Sequence, residues 1–170
     1  RFFTSGRYWR EGVVPTIAPS MDICVSSNFE RFLFHLCGDD GDTLREWLAN
    51  FEKTGKLTVE GVLLEQAQNT FKSARVETEE NLGTIKRFWD EQSYLLCPHS
   101  SVGAAAPVQL GLEGSSTVVL ATAHPAKFPD AVVNELPPAP TELHVLWDLP
   151  TRSTKMPNSL EKVIFLIFSL

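Results

Sequence analysis

The clearest candidate for chemistry in this chain lies where an apolar run ends. "VVLATAHPAKF" covers residues 118–128, and its apolar side chains stop at the hydroxyl of Thr122, shortly before Pro125. In α/β proteins, ligands commonly bind where a buried strand ends and the next helix begins. A threonine hydroxyl there can donate or accept a hydrogen bond to a ligand, or cap the helix that Pro125 starts. The two roles are compatible, and the residues alone leave both open.

The other reactive side chains form no recognisable catalytic or metal-binding motif. Cys97 and His99 stand in a C-P-H order that rarely lets both side chains bind one ion, and no further ligand pair lies nearby. A helix-capping or loop role is therefore favoured for "PHSS". Ser100 and Ser101 lie in no G-x-S-x-G motif, and the glycines form no nucleotide-binding loop. We predict neither a catalytic residue nor a metal site from these patterns.

Composition bounds the class of protein. The chain has 170 residues, an apolar content of 43% and a net charge of −6, which fits one domain or a large piece of a bigger protein. The acidic balance argues against nucleic acid as a partner. The three cysteines indicate free thiols rather than a disulfide framework. The terminal "VIFLIFSL" is too short to span a bilayer and is interpreted as a buried helix end.

Helical periodicity dominates the first half of the chain. One predicted helix carries Phe29, Phe32, Leu33 and Leu36 on one face and ends at residues 38–41. The following segment, "DTLREWLANFEKTG", is predicted to be a helix with Asp42 as its N-cap and Gly55 as its terminator. "KLTVEGVLLEQAQNTF" is expected to start as a short strand and to become helical. "VETEENLGTIKRFWDEQSY" is predicted to be a solvent-facing helix with four inward residues, namely Leu82, Ile85, Phe88 and Trp89.

The second half reads differently. Small residues after the polar cluster at 97–101 suit a helix that packs very closely against a sheet. "STVVLATA" (116–123) is typical of a strand buried on both faces of a parallel sheet. A helix from Pro125 through Val133 and a proline-rich connector are expected to follow. Alternating helices and buried strands predict an α/β protein, a parallel sheet with flanking helices.

Three stretches in order resemble the C-terminal part of the threonine synthase family. "PTIAPSMDICVSSNFERFLFHL" is similar to the family's P-T-x-x-P-x-M-D-I followed by S-S-N-x-E-R. "YLLCPHSSVGAAA" is similar to its G-Y-x-x-D-P-H-[TS]-A-V-G, and "LATAHPAKF" is close to a family signature. The resemblance covers almost the whole chain, and the vertebrate threonine synthase-like proteins are the branch it suggests. Cys97 departs from the family pattern, which has Asp there.

The resemblance implies a fragment of a fold-type II, tryptophan synthase beta-like enzyme that depends on pyridoxal phosphate. In such proteins a small hydroxyl at the end of a strand meets the ring nitrogen of the cofactor, and Thr122 matches that position. His124 and Lys127 are expected to orient the turn and face solvent. Ser27, Asn28 and Arg31 are candidates for holding the substrate's phosphate. A helix cap plus a surface ion pair is the alternative role of those three residues.

The resemblance also implies the reaction and the missing parts. The family acts on phosphorylated amino acids, and a phospho-lyase that releases phosphate from O-phosphohomoserine or O-phosphothreonine, giving 2-oxobutanoate and ammonia, is preferred over a synthase. The family's catalytic lysine and its cofactor-phosphate loop precede the point where this chain begins. Residues 1–170 are therefore expected to be the C-terminal portion of the domain, without its N-terminal lobe, and to be inactive alone.

The remaining expectations concern partners and location. A phosphorylated amino acid is the expected ligand, with no membrane partner and with a homodimer as one option. A cytoplasmic enzyme is the first expectation. A truncated, secreted, cytokine-like form without catalysis is the alternative, because a shortened enzyme would expose apolar surface that favours association. A non-catalytic relative kept for interaction is a third option, motivated by Cys97.

Overall fold

A computed structural model describes residues 1–112, 114, 116–128, 141–146 and 148–168. The chain forms two compact units, Arg1–Leu136 and Pro137–Leu170, which are described separately. The first unit contains α1 (Phe2–Ser5), β1 (Arg7–Trp9), a 3-10 turn (Pro19–Met21), α2 (Phe29–Leu36), α3 (Gly41–Thr54), β2 (Lys56–Thr58), α4 (Gly61–Thr70), α5 (Thr78–Gln92), α6 (Pro98–Gln109) and a second 3-10 turn (Pro125–Lys127). The second contains α7 (Thr141–His144) and α8 (Leu160–Phe168).

An apolar core holds together the elements from α1 to α4. The predicted face of α2 is confirmed, because Leu33 and Leu36 are buried and Phe29 and Phe32 pack against the same cluster. That cluster's buried members are Phe2, Leu33, Leu36, Phe51, Leu57, Val59 and Ala67. Burial of these apolar side chains is the main stabilising contribution in this part of the chain. The predicted strand and helix at 56–71 are also confirmed as β2 and α4.

The cap of α3 differs from the prediction by two residues. Asp40, rather than Asp42, is the N-cap, and its carboxylate accepts hydrogen bonds from the backbone N–H groups of Asp42 and Thr43. The Thr43 hydroxyl also donates to this carboxylate, at 2.7 Å. That bond contributes most, and with the two backbone bonds it holds the pKa of the exposed Asp40 carboxyl below its usual value. Gly55 ends α3 as predicted, because its φ of 70° suits a left-handed cap.

The α5 helix lies within the predicted segment of residues 76–94 and is two residues shorter at each end, and its inward face was only partly predicted. Ile85 is buried and Phe88 packs against it, yet Leu82 is exposed. Asn81 and Thr84 are buried on this face instead. The inward face therefore lies one residue from where apolar periodicity placed it, because α5 meets α6 through polar side chains.

The predicted parallel sheet is not present among the described residues. The strands described there are β1 and β2, which pair antiparallel with Arg7 opposite Thr58 and Trp9 opposite Lys56. Residues 116–122 form no strand, and Val118 and Leu120 are exposed by 86% and 80%. A strand needs a hydrogen-bonded neighbour, and the described part of the chain offers this segment none.

Two further expectations are corrected or lie outside the described residues. Pro125 starts a single 3-10 turn, while the expected continuation to Val133 and most of the proline-rich connector fall in residues 129–140. In the second unit, α8 is a helix, but Phe165 and Ile167 are exposed by 70% and 61%, so a buried helix end was wrong. No helix among the described residues is long and apolar enough to cross a membrane.

Candidate functional site

The start of α6 is built by the "CPHSS" segment, as a capping role predicts. Cys97 is the N-cap, and its sulfur accepts a hydrogen bond from the backbone N–H of Ser100 at 3.3 Å. Pro98 occupies the first helical position, where its missing N–H costs no hydrogen bond. Cys97 is only 1% exposed. A buried thiol thus replaces the oxygen that usually caps a helix.

The side chains of Cys97, Ser100 and Thr122 meet in what we call the Cys97 cluster. The Cys97 sulfur lies 3.1 Å from the Ser100 hydroxyl oxygen and 3.5 Å from that of Thr122. The two hydroxyl oxygens are 3.2 Å apart, and the backbone N–H of Thr122 donates to Ser100 Oγ at 3.0 Å. The buried cluster therefore holds one side of the Thr122 hydroxyl, while Thr122 as a residue remains exposed.

Hydrogen bonds lower the pKa of the Cys97 thiol below its ordinary value. Burial alone would raise the pKa, because it disfavours the charged thiolate. The hydroxyls of Ser100 and Thr122, together with the backbone N–H groups of Ser100 and His99, outweigh that effect by stabilising the thiolate. The cluster thus favours negative charge on sulfur at the start of a helix, where a thiolate is commonly stabilised.

A second polar network fixes α6 against α5. The Asn81 side-chain amide donates to the carbonyl oxygen of Pro98 at 3.0 Å. The Ser101 hydroxyl contacts the Asn81 amide oxygen and lies 2.9 Å from the same Pro98 oxygen. Asn81 is 2% exposed and Ser101 is completely buried. These contacts set the position of the first turn of α6 and hence of the Cys97 cluster.

The buried imidazole of His99 connects three segments at this site. Its Nε2 accepts a hydrogen bond from the backbone N–H of Ser20 at 3.1 Å, so the neutral ring carries its hydrogen on Nδ1. Its ring centre lies 4.4 Å from that of Phe128, which follows the Thr122 turn. Burial lowers the pKa of His99, while Asp22 raises it and Lys127 lowers it further. His99 therefore acts as a neutral acceptor.

We expect stability to fall in mild acid because of His99. A His whose pKa is depressed on folding contributes stability that is present above its ordinary pKa of about 6.5 and lost as the pH falls through the folded pKa. Urea unfolding at about pH 8 and about pH 5 should show a larger loss in the wild type than in His99→Gln, whose amide oxygen accepts without titrating. An equal loss in both proteins would contradict this role. His35→Gln is the control, since His35 is exposed.

The remaining residues of this turn behave as expected. His124 Nδ1 accepts from the backbone N–H of Ala126 at 3.2 Å, which caps the 3-10 turn, and Lys127 is exposed. The small residues of α6 allow a close approach, because a Cβ on Gly103 would lie 3.1 Å from Val119. No cluster of potential metal ligands occurs among the described residues.

Ser27, Asn28 and Arg31 lie on a different part of the first unit. They line one open cavity of about 340 Å³ at the start of α2, together with Glu30, Phe34 and Leu44. Asn28 precedes α2 but makes no side-chain cap bond. None of the ion pairs found in the described part of the chain includes Arg31. The alternative of a cap plus a surface ion pair is therefore not realised here.

Sequence reasoning missed the partners of Thr122. Cys97 and Ser100 lie more than 20 residues before Thr122, and no local spacing predicts their contact. A cavity of about 550 Å³ also adjoins Ser100 and is lined mainly by apolar residues of α6 and the 117–121 segment. The available signal was the helix-start pattern at 97–101, which identified the capping role but not what the cap touches.

Comparison with known proteins defines the class. A family model described as "Threonine synthase, C-terminal" matches residues 100–167. Threonine synthase of Pseudomonas aeruginosa is 39% identical over 96% of this chain and 36% of its own length. The crystal structure of pyridoxal phosphate-bound threonine synthase from Brucella melitensis matches with a TM-score of 0.83 at 36% identity, over 98% of this chain and 37% of that one.

The chain therefore belongs to the threonine synthase family and matches the C-terminal portion of its members. Human threonine synthase-like 2 is also similar, with 36% identity over 86% of this chain and 31% of its own length. The chain thus spans about a third of the length of the curated relatives that it matches.

Proposed function

We propose that this chain is the C-terminal portion of a pyridoxal phosphate-dependent phospho-lyase. The supporting observation is that the Cys97 cluster orients the hydroxyl of Thr122, the residue that the family resemblance assigns to the ring nitrogen of the cofactor. Family membership supports an enzyme parent, because the relatives are named threonine synthases or threonine synthase-like 2, while the phospho-lyase outcome is part of this proposal. The cofactor, when bound, supplies an electron sink for a carbanion at the substrate's Cα.

The residues present fit the ring-nitrogen end of the cofactor. Thr122, an exposed residue, offers a hydroxyl that can donate or accept and that is held on one side by Ser100 and Cys97. A neutral hydroxyl partner leaves a pyridine ring largely unprotonated, whereas a carboxylate would hold it protonated. The chain carries no glycine-rich loop of the kind that cradles a cofactor phosphate. The phosphate end and the lysine attachment are therefore assigned to a part of the protein that precedes this sequence.

The same proposal includes the detailed fold of the whole domain. A fold-type II domain would supply strands beside residues 116–122, whose exposed Val118 and Leu120 would then be buried in a parallel sheet. Residues 1–170 would be the C-terminal portion of that domain. On this account the chain alone neither holds the cofactor tightly nor catalyses the reaction.

The cavity at the start of α2 is proposed to bind the substrate's phosphate. Arg31 supplies a permanent positive charge and a planar set of donors, which suit a phosphate group. Ser27 and Asn28 add neutral polar groups at the same cavity. Glu30 also lines the cavity and opposes anion binding. The substrate class is thus an amino acid phosphorylated on its side chain, such as O-phosphohomoserine or O-phosphothreonine.

Replacing Arg31 tests this role. Arg31→Met in the longest natural form should lower kcat/KM for phosphate release by about 10-fold to 100-fold, because the lost contact binds the phosphate that the substrate presents and that leaves in the reaction. Phosphate release from each of the two phospho-amino acids is the measurement. Arg45→Met, an exposed arginine on α3, should leave kcat/KM unchanged. Equal effects of both variants would contradict the phosphate site.

A non-catalytic, secreted binding form remains the second candidate. The observation that favours it is the exposure of apolar side chains, with Val118 and Leu120 in the first unit and Phe165 and Phe168 in the second. Exposed apolar patches mark surfaces for association. Detection of this chain length in the medium of cells that express the natural gene would support the secreted form. Its confinement to cells that contain the full-length enzyme would exclude the secreted form.

A further inference from the structure

The Cys97 cluster has more hydrogen-bond donors around its sulfur than a neutral thiol needs. The Ser100 and Thr122 hydroxyls lie 3.1 Å and 3.5 Å from the sulfur, and the Ser100 backbone N–H donates to it at 3.3 Å. The backbone N–H of His99 also contributes. Each hydroxyl has one hydrogen to give, so the charge on sulfur decides where those hydrogens point.

With a thiolate at Cys97, both hydroxyls donate to sulfur. The hydrogen of Thr122 is then committed to the cluster, and its remaining lone pairs are free to accept from a ligand. Ser100 Oγ accepts from the Thr122 backbone N–H in the same arrangement. Thr122 therefore meets a ligand as an acceptor, which matches a protonated ring nitrogen.

With a thiol at Cys97, the S–H can itself donate to one of the hydroxyls. The Thr122 hydroxyl is then released from donating to sulfur and can turn its hydrogen outward. It meets a ligand as a donor, which matches an unprotonated ring nitrogen. Between the thiol and the thiolate arrangement, the sulfur loses one proton to the solvent and the Thr122 hydroxyl hydrogen turns from the ligand to the sulfur.

We propose that Cys97 is a positioning residue whose protonation state decides whether Thr122 presents a hydrogen or a lone pair to the ligand that it binds. The proposal rests on the proposed function for the identity of that ligand. Neither a carboxylate that stays ionised nor an alanine could make this exchange near neutral pH. The lowered pKa of the Cys97 thiol brings the exchange closer to that range.

Several titratable side chains lie around the cluster, so the titration of Cys97 has to be distinguished from theirs. Among the described residues no charged group contributes to the Cys97 pKa, which is shifted by hydrogen bonds and burial. The imidazole of His99 is directed to Ser20 and that of His124 to Ala126. The other titratable groups of the adjoining turn and cavity are Lys127, Arg87 and Tyr94.

The test measures the Cys97 pKa directly, without cofactor. In the 170-residue chain carrying Cys24→Ser and Cys37→Ser, the ultraviolet absorbance of the thiolate is followed against pH. Thr122→Val should raise the midpoint by about half a pH unit or more, because one donor to the thiolate is lost. Thr122→Ser keeps a hydroxyl and should restore the original midpoint. Thr70→Val, remote on α4, should leave the midpoint unchanged.

A second measurement uses the longest natural form loaded with pyridoxal phosphate. The pH dependence of the cofactor's absorbance should contain a step at the Cys97 midpoint, and Cys97→Ser should bind cofactor but lack that step. An unchanged midpoint in Thr122→Val, or a step that persists in Cys97→Ser, overturns the proposal. If the longest natural form does not bind the cofactor but the thiol titrates as expected, the proposed function is contradicted. The coupling of Cys97 to Thr122 would still hold in that case.

Discussion

Replacing Gly6 by alanine is expected to destabilise the first unit by about 3 kcal/mol or more, since the added atom has no room. A Cβ built on Gly6 would lie 1.9 Å from the carbonyl oxygen of Val59, far inside van der Waals contact. Gly6 also has a φ of 70°, and the left-handed region alone costs other residues roughly 1 to 2 kcal/mol. The clash cannot relax cheaply, because the Val59 backbone N–H donates to the Gly6 carbonyl oxygen at 2.9 Å.

Gly12→Ala is the matched control for this prediction. No atom lies within 4 Å of a Cβ built on Gly12, and its φ is not positive, so the variant should unfold within about 0.5 kcal/mol of the wild type. Urea unfolding of both variants gives the comparison. Equal stability of Gly6→Ala and Gly12→Ala would show that the approach of Gly6 to Val59 is not as close as described.

The second large effect is expected at Asn81. Asn81→Ala removes the donor to the Pro98 carbonyl and the partner of Ser101 at completely buried positions, which should cost about 2 to 3 kcal/mol. The loss should also loosen the first turn of α6. We therefore expect faster amide hydrogen exchange at Ser100 and Ser101, whose N–H groups are bonded to Cys97.

Asn69→Ala is the control, because Asn69 is exposed on α4. It should change stability by no more than about 0.5 kcal/mol and leave exchange in α6 as it is. A loss of stability in Asn81→Ala without faster exchange at the start of α6 would show that Asn81 stabilises α5 alone. In that case the positioning of the Cys97 cluster would need another source.

Local signals predicted the helices of the first half well. The apolar face of α2 and the glycine that ends α3 depend on neighbouring residues, so the sequence contains the information. The cap of α3 was misplaced because Asp40 and Asp42 are both suitable capping residues, and the geometry of the preceding turn decides between them. Leu82 was misplaced because polar burial at Asn81 and Thr84 has no periodic signature.

Long-range features were much harder to predict. Residues 116–122 have the composition of a buried strand, but a strand also requires a neighbour, and composition does not show where that neighbour comes from. The candidate site shows the same limit. Thr122 was predicted as a site residue from its position at the end of an apolar run and from the family resemblance, and that role stays a prediction. Its contacts with Ser100 and Cys97 depend on the packing of α6, which no local pattern specifies.

The most direct test of the central claim is an absorbance scan of the longest natural form mixed with pyridoxal phosphate, before and after borohydride. Lysine-bound cofactor gives an absorbance band that borohydride abolishes, and the enzyme account predicts that band in the full-length protein and its absence in the 170-residue chain. Thr122→Val should shift the band, since it removes the proposed partner of the ring nitrogen. No reducible band in the full-length protein would contradict the account and leave the binding role as the function to pursue.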